Sequence, residues 1–331
     1  MKGVIIAGGL GTRLRPLTNH IPKPIIPVMN KPFVLYQIEL LKRHGIDRII
    51  VNVHYQSHRV QEVLGDGSAW GVKLEYSIEQ EPLGTAWAVK NAESLFDEGP
   101  LVVLNGDVLT DIDLGELLGF HREKKAAVTL TLTEVQNPSA FGLVLTDESQ
   151  RVKAFLEKPA NHISPHPTIN AGIYVIDPAI FQQVPSGVAY SFERELYPTL
   201  LSQDVPVYGF ISGAYWIDIG NPQMYLQVHD DLFSGKVKGF SPEESLLQGE
   251  DCEVSPDVFV GGWSVLGNHV KVGAGSLLNR SVIWEGTSIG KEASITGSII
   301  GRNCRIGDGA ALQRGVVLED GTTIEPGLRI S

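Results

Sequence analysis

From Val254 onward, apolar residues recur at every sixth position: Val254, Val260, Leu266, Val272 and Leu278, then Ile283, Ile289 and Ile295, then Ile300, Ile306 and Leu312, then Val317. An α-helix repeats about every 3.6 residues and a strand every second one, so neither explains a period of six. A longer repeat is superposed. Leu266, Ile283, Ile300 and Val317 stand 17 apart, three hexads less one residue. Glycine often follows the apolar position, as at Gly261, Gly267, Gly273, Gly290, Gly301 and Gly307. Three short strands joined by tight turns close a triangular coil, and coils stacked in register bury a continuous core. The spacing predicts a parallel β-helix of about five coils, whose hand the count leaves open. A glycine-rich irregular tail would not keep this register over such a length.

The chain of 331 residues suits two domains of ordinary size. Composition changes near residue 240, since 15 of the 36 glycines fall in the last 91 residues. We expect one domain over 1–235, a linker over 236–250 and the β-helix over 251–331. Upstream, short apolar runs alternate with helical patterns. Val4 to Ile6, Arg48 to Val53, Leu74 to Ile78 and Leu101 to Leu104 read as strands. Pro32 to His44 has helix-spaced apolar residues, and further helices are expected from Ser57 and from Thr85. This alternation predicts an α/β domain with a mostly parallel sheet covered on both faces. Ligands of such sheets sit beyond the carboxyl ends of the strands, where AGGLGTRLRP and NGDV fall.

Composition narrows the partners. Lys and Arg number 27 against 38 Asp and Glu, a formal charge of −11. That excess argues against a nucleic-acid or anionic-membrane surface, so any phosphate must be held by a local cluster. Two cysteines, Cys252 and Cys304, have no ligand spacing and suit a reducing compartment. With neither a secretory leader nor a membrane span in the pattern, the expected location is the cytoplasm.

The loop after the first strand, residues 7–24, is neither a Walker A loop nor a dinucleotide fingerprint, because no Gly-Lys-Ser/Thr closes it and Leu14 replaces the third glycine. It still has the parts of a phosphate cradle. Gly8, Gly9 and Gly11 let backbone N–H groups approach oxyanions, and Arg13 and Lys23 add charge. Pro22 and Pro24 fix the chain around Lys23. Asp107 ends an apolar strand, and Asp218 stands in an otherwise apolar Trp-Ile-Asp-Ile, where an unpaired buried carboxylate would be costly. Together they could hold one Mg²⁺, which takes few protein carboxylates and completes its shell with phosphate and water.

These segments resemble the nucleotide-diphospho-sugar pyrophosphorylase family, which makes NDP-sugars from an NTP and a sugar 1-phosphate. GGLGTRLRPLT and PKP are followed in order by EPLGTA (81–86), NGD (105–107), FG (141–142), EKP (157–159), NAG (170–172) and WIDIG (216–220). Within that family the segments look most like the mannose-1-phosphate guanylyltransferase branch. The resemblance implies a Rossmann-like domain followed by a left-handed β-helix, Mg²⁺ dependence and release of pyrophosphate. It implies catalytic roles for Arg13, Lys23, Asp107 and Asp218, the two aspartates binding metal. Ala7, Gly8, Gly9, Gly11, Thr12, Arg13, Glu79, Gly84 and Thr85 would hold the nucleotide. Gly142, Glu157, Lys158 and Asn170 would hold the sugar phosphate.

Glu79 bears on the base, because guanine presents two adjacent donors that one carboxylate can accept. A shift of one residue would put Gln80 there instead and favour dTTP or UTP. The alternatives are therefore a thymidylyl- or uridylyltransferase, a non-catalytic sensor of NDP-sugar, or a bifunctional enzyme with an acyltransferase in its β-helix. The last wants a histidine, and His269 is the only one beyond residue 240. A repeating β-helix face and an end coil to protect predict a homo-oligomer, dimer or tetramer.

Overall fold

A computed structural model describes residues 1–135, 141–157, 167–240 and 242–331. Internal contacts gather into two compact units. One comprises Met1–Leu10 with Val34–Trp216, the other Gly11–Phe33 with Ile217–Ser331.

The first unit is built on a nine-stranded mixed sheet. Leu101–Asn105, Lys2–Ile6, Arg48–Val53 and Lys73–Ile78 lie side by side and parallel. Val4, Ile5, Ile49 to Val51 and Leu101 to Leu104 are all fully buried, which explains their uninterrupted apolar runs. Thr168–Ile176 then adds antiparallel to Leu101–Asn105 and continues to Gly142–Thr146 and Val152–Glu157. The helices Val34–Arg43, Ser57–Leu64 and Thr85–Asn91 begin close to the positions expected from periodicity. Register decides where ligands can approach. Ile6 is level with both Asn52 and Asn105, and Asn52 with Ser77, so the parallel strands end on one ledge.

The second unit contains the hairpin Pro27–Val28 with Lys31–Pro32, the helix Pro222–Phe233 and three five-stranded parallel sheets. The sheets are the three sides of a β-helix, the arrangement expected of the left-handed kind. Leu266, Ile283 and Ile300 pair in register at 17-residue intervals and are fully buried. Two details differ from the sequence reading. The coil after Ile300 has 18 residues, so Leu318, not Val317, continues the inner column. Leu246–Gln248, inside the stretch expected to be linker, already pairs with Ser264–Leu266. Gln248 stands where later coils carry Leu266, Ile283 and Ile300, which hid this coil from an apolar count. Among the described residues no helix is long and apolar enough to cross a membrane.

Candidate nucleotide and phosphate site

Three loops leave the ledge of the sheet. The Ala7 N–H donates to the Asn52 carbonyl at 2.9 Å, the Glu79 N–H to Val53 at 2.9 Å and the Gly106 N–H to Ile6 at 2.8 Å. Each loop thus starts from a fixed ladder bond, with Ala7, Gly8 and Gly9 on the first and Glu79 opening the second.

Gly8 has a steric reason to be glycine. A Cβ there would lie 2.7 Å from Glu79 Oε2, so only a bare backbone passes this carboxylate. Glu79 is 6% exposed, and its Oε1 has no hydrogen-bond partner among the described residues. Burial pushes its carboxyl up to about 7, although His54 and the Leu83 N–H favour the charged form. His54, which nothing in the sequence marked, sets this strand end by placing Nδ1 2.9 Å from the Glu79 carbonyl. The second loop returns at Gly84, whose φ of +96° suits glycine and whose Cβ would meet the Tyr190 carbonyl at 2.8 Å. Thr85 commits its hydroxyl within the protein: it donates to Glu193 Oε2 at 3.1 Å and accepts from the Phe192 N–H at 3.0 Å. Its side chain fastens the neighbouring loop, leaving backbone for a nucleotide.

Asp107 does not end a strand. The strand stops at Asn105, and Asp107 lies in the turn before Val108–Thr110. Gly106 permits that turn, because a Cβ would lie 2.5 Å from the Ile6 carbonyl. Gln37, also unmarked in the sequence, brackets it from below. Its Nε2 donates to the carbonyls of Asn105 at 2.7 Å and Val108 at 2.9 Å. The signal was a polar residue on the buried face of the helix Val34–Arg43, 2% exposed.

On the expected sugar side, Gly142 is buried and pairs with Glu157. Asn170 is fixed in a bulge of its strand, with Nδ2 donating to the Tyr174 hydroxyl at 2.8 Å and its side-chain oxygen accepting from the Gly172 N–H at 3.1 Å. Lys158 lies outside the described residues, and Glu157 is described only as the last residue of its strand.

The second unit holds Arg13, Lys23 and Asp218. Gly11 sits at φ +63° before the short turn Thr12–Leu14, and the Thr18 hydroxyl donates to the Gly11 carbonyl at 2.7 Å. Lys23 Nζ lies 3.8 Å and Arg13 Nη2 4.0 Å from the two oxygens of Asp218, so the fold brings these three together. Lys23 is largely covered, whereas Arg13 is 69% exposed and free to meet a ligand. Gly220 makes room for it, because a Cβ there would lie 2.9 Å from Arg13 Nη1.

The rest of this loop is anchored. The Met29 N–H donates to His229 Nε2 at 3.2 Å, and His229 Nδ1 donates to the Tyr225 carbonyl at 2.7 Å. Full burial lowers the His229 pKa to about 4, so the ring is neutral and can accept. The Tyr225 hydroxyl donates to the Pro27 carbonyl and accepts from Trp284 Nε1 at 3.1 Å. Asn30 Nδ2 donates to the Leu266 carbonyl and Asn19 Nδ2 to Glu319, each at 2.7 Å. The coils therefore hold the loop that carries Arg13 and Lys23.

Among the described residues no three His, Cys, Asp or Glu gather as a metal cage. The available donors are hard carboxylate oxygens one at a time, which suits an ion that keeps phosphate and water ligands.

The nucleotidyl transferase family model matches residues 2–235, and the GMPPB C-terminal domain model matches residues 243–331. The chain is 38% identical over 297 residues to a mannose-1-phosphate guanylyltransferase of Mycobacterium tuberculosis, covering 87% of this chain and 81% of that protein. It is 32% identical over 350 residues to a UTP–glucose-1-phosphate uridylyltransferase of Synechocystis, covering 94% and 90%. HddC from Yersinia pseudotuberculosis, solved in complex with GMP-PN, is 30% identical with a TM-score of 0.60, covering 70% of this chain and 98% of that one.

Proposed function

Because this chain belongs to the nucleotidyl transferase family, we propose that it makes GDP-mannose and pyrophosphate from GTP and mannose 1-phosphate. The observation that carries the base assignment is Glu79, a buried carboxylate with an oxygen lacking a partner among the described residues, at a strand end beside the glycine loop. Guanine N1–H and its exocyclic amine supply the two donors such a group lacks. The Mycobacterium tuberculosis relative named as a mannose-1-phosphate guanylyltransferase supports the sugar.

In this reading a phosphate oxygen of mannose 1-phosphate attacks the α-phosphorus of GTP, and pyrophosphate leaves without a covalent enzyme intermediate. Ala7, Gly8, Gly9, Gly11 and Thr12 present backbone N–H groups to the triphosphate. Gly84 and Thr85 frame the base through their backbone. Arg13 neutralises charge on the β- and γ-phosphates, and Lys23 stabilises the charge that develops in the transition state. Gly142, Glu157, Lys158 and Asn170 receive the sugar phosphate.

The family acts with a divalent metal, which we take to be Mg²⁺ held by Asp107 and Asp218. When bound, such an ion neutralises phosphate charge and orients the reacting groups. We place the reaction in the cytoplasm, a reading supported by two unpaired cysteines. We also take the chain to be a homo-oligomer, dimer or tetramer, supported by Phe259 standing 63% exposed on the β-helix. Light scattering should then give a multiple of 36.0 kDa, and a monomer at micromolar concentration refutes it.

The decisive experiment is pyrophosphate release measured with GTP, dTTP, UTP and ATP, each crossed with mannose 1-phosphate and glucose 1-phosphate. GTP with mannose 1-phosphate should give the highest kcat/KM. A maximum for UTP with glucose 1-phosphate would overturn the assignment in favour of the chemistry named for the Synechocystis relative.

A further inference from the structure

A cavity lies within the C-terminal unit, between the start of the helix Pro222–Phe233 and the corners of the β-helix coils. It has a volume of about 720 Å³, within the range of small-molecule sites. In a chain of net charge −11 its lining is one-sided. The charged side chains lining it are Arg280 and Arg314, and among the described residues no Asp or Glu lines it.

The coil geometry explains the spacing of the two guanidinium groups. Asn279 pairs with Thr296 and Ile295 with Leu312, so Arg280, Gly297 and Arg314 occupy one corner on three successive coils. Adjacent parallel strands stand roughly 5 Å apart, so the two arginine backbones are roughly 10 Å apart. Gly297 leaves the gap between them open, and a Cβ there would press on Arg314 Cγ at 2.9 Å. Arg280 is ion-paired with Asp230, which does not itself line the cavity. Arg314 is exposed and has no hydrogen-bond or ion-pair partner among the described residues. Trp263 also lines the cavity, and its ring, only 6% exposed, is stacked on His229 and Phe233.

We propose that this cavity is a second anion site, which takes a small phosphorylated molecule, best one with two phosphate groups, between Arg280 and Arg314. The charged groups of the lining are the two guanidinium groups, so the ligand is recognised by its phosphates. Gln223 and Asn279 line the cavity as neutral hydrogen-bonding groups for the portion between them.

The test is calorimetric titration of the full chain, saturated with GDP-mannose, with glucose 1,6-bisphosphate as probe. Wild type should bind one equivalent per chain, and Arg314→Glu should bind about tenfold or more weakly, the effect of losing a charge-assisted contact and adding repulsion. Arg314→Lys should restore most of the affinity. Arg13→Ala serves as the control for probe entering the nucleotide site, and it should bind as wild type. Loss of binding in Arg13→Ala with retention in Arg314→Glu would overturn the proposal, as would no binding by wild type at millimolar probe. Arg314 is exposed, so the melting temperatures of its variants should match wild type and certify the fold.

Discussion

Glu79 is asked to do one job by its surroundings and another by its ligand. Buried against the Gly8 backbone, its carboxyl is held up to about 7 in the free protein. Guanine donors require the ionised form, so kcat/KM for GTP should fall as pH drops below about 7, because that ratio reports ionisations of the free enzyme. Glu79→Gln should abolish this acidic limb and cost 10- to 100-fold in kcat/KM for GTP, roughly the effect of mispaired buried polar groups. UTP turnover should be unharmed. An acidic limb that persists in the variant would assign the ionisation elsewhere and return the base to Gln80 or the backbone at Gly84. Arg13 offers a second test at this scale. Since a methyl at Gly220 must displace the guanidinium rather than any backbone, Gly220→Ala should fold normally yet lose about tenfold or more in kcat, in the direction of a lost charge donor. A fully active Gly220→Ala would show that the position of Arg13 beside Asp218 is immaterial.

Among the elements, the turn that carries Asp107 is set by a residue remote from it in sequence. Gln37 bonds both ends of the turn from the helix Val34–Arg43. Gln37→Leu keeps the volume but unpairs two buried carbonyls, at about 1–3 kcal/mol each. We expect a lower melting temperature, a fall in kcat and a right-shifted Mg²⁺ activation curve, with KM for GTP little changed. A curve overlaying wild type would mean that the turn keeps its shape without Gln37. Gln37 and His54 illustrate what the sequence could not disclose. Both act through backbone carbonyls, and a carbonyl has no residue type to recognise. Glycines were more legible, because close approach leaves a compositional trace: Gly8, Gly11, Gly84 and Gly106 each stand where a Cβ would crowd a neighbour. The six-residue period likewise survived because every inner position repeats the same demand. It failed at Gln248 and at Leu318, where one coil is polar and another is a residue longer. The sequence marks the loop that holds Thr85, but a hydroxyl's partner is decided by tertiary packing, here Glu193 and Phe192.

Within the C-terminal unit the β-helix does more than extend the chain, because Tyr225, His229 and Trp284 suspend the loop that carries Arg13 and Lys23. Tyr225→Phe removes one oxygen shared by Pro27 and Trp284, and should lower both stability and kcat while leaving Arg13 and Lys23 chemically intact. Unchanged kcat would make the coils a passive appendage. The buried titratable groups also shape the pH dependence of folding. His229 has a folded pKa of about 4 against an ordinary 6.5. Its contribution is therefore present above pH 6.5 and lost as pH falls toward 4, since the unfolded chain takes up the proton first. His121, lowered by burial, acts in the same direction. Glu79 acts oppositely. Its folded pKa of about 7 exceeds the ordinary 4.5, so its contribution is present below 4.5 and lost as pH rises to 7. Each group contributes a slope of at most about 1.4 kcal/mol per pH unit, and between pH 4.5 and 6.5 the slopes of His229 and Glu79 oppose. Urea unfolding without ligand should expose the two halves separately. Relative to wild type, Glu79→Gln should lose stability more steeply as pH falls through that window, and His229→Gln less steeply. Parallel profiles for His229→Gln and wild type would mean that the ring is protonated in the folded state, and then it could not accept the Met29 N–H that tethers the loop.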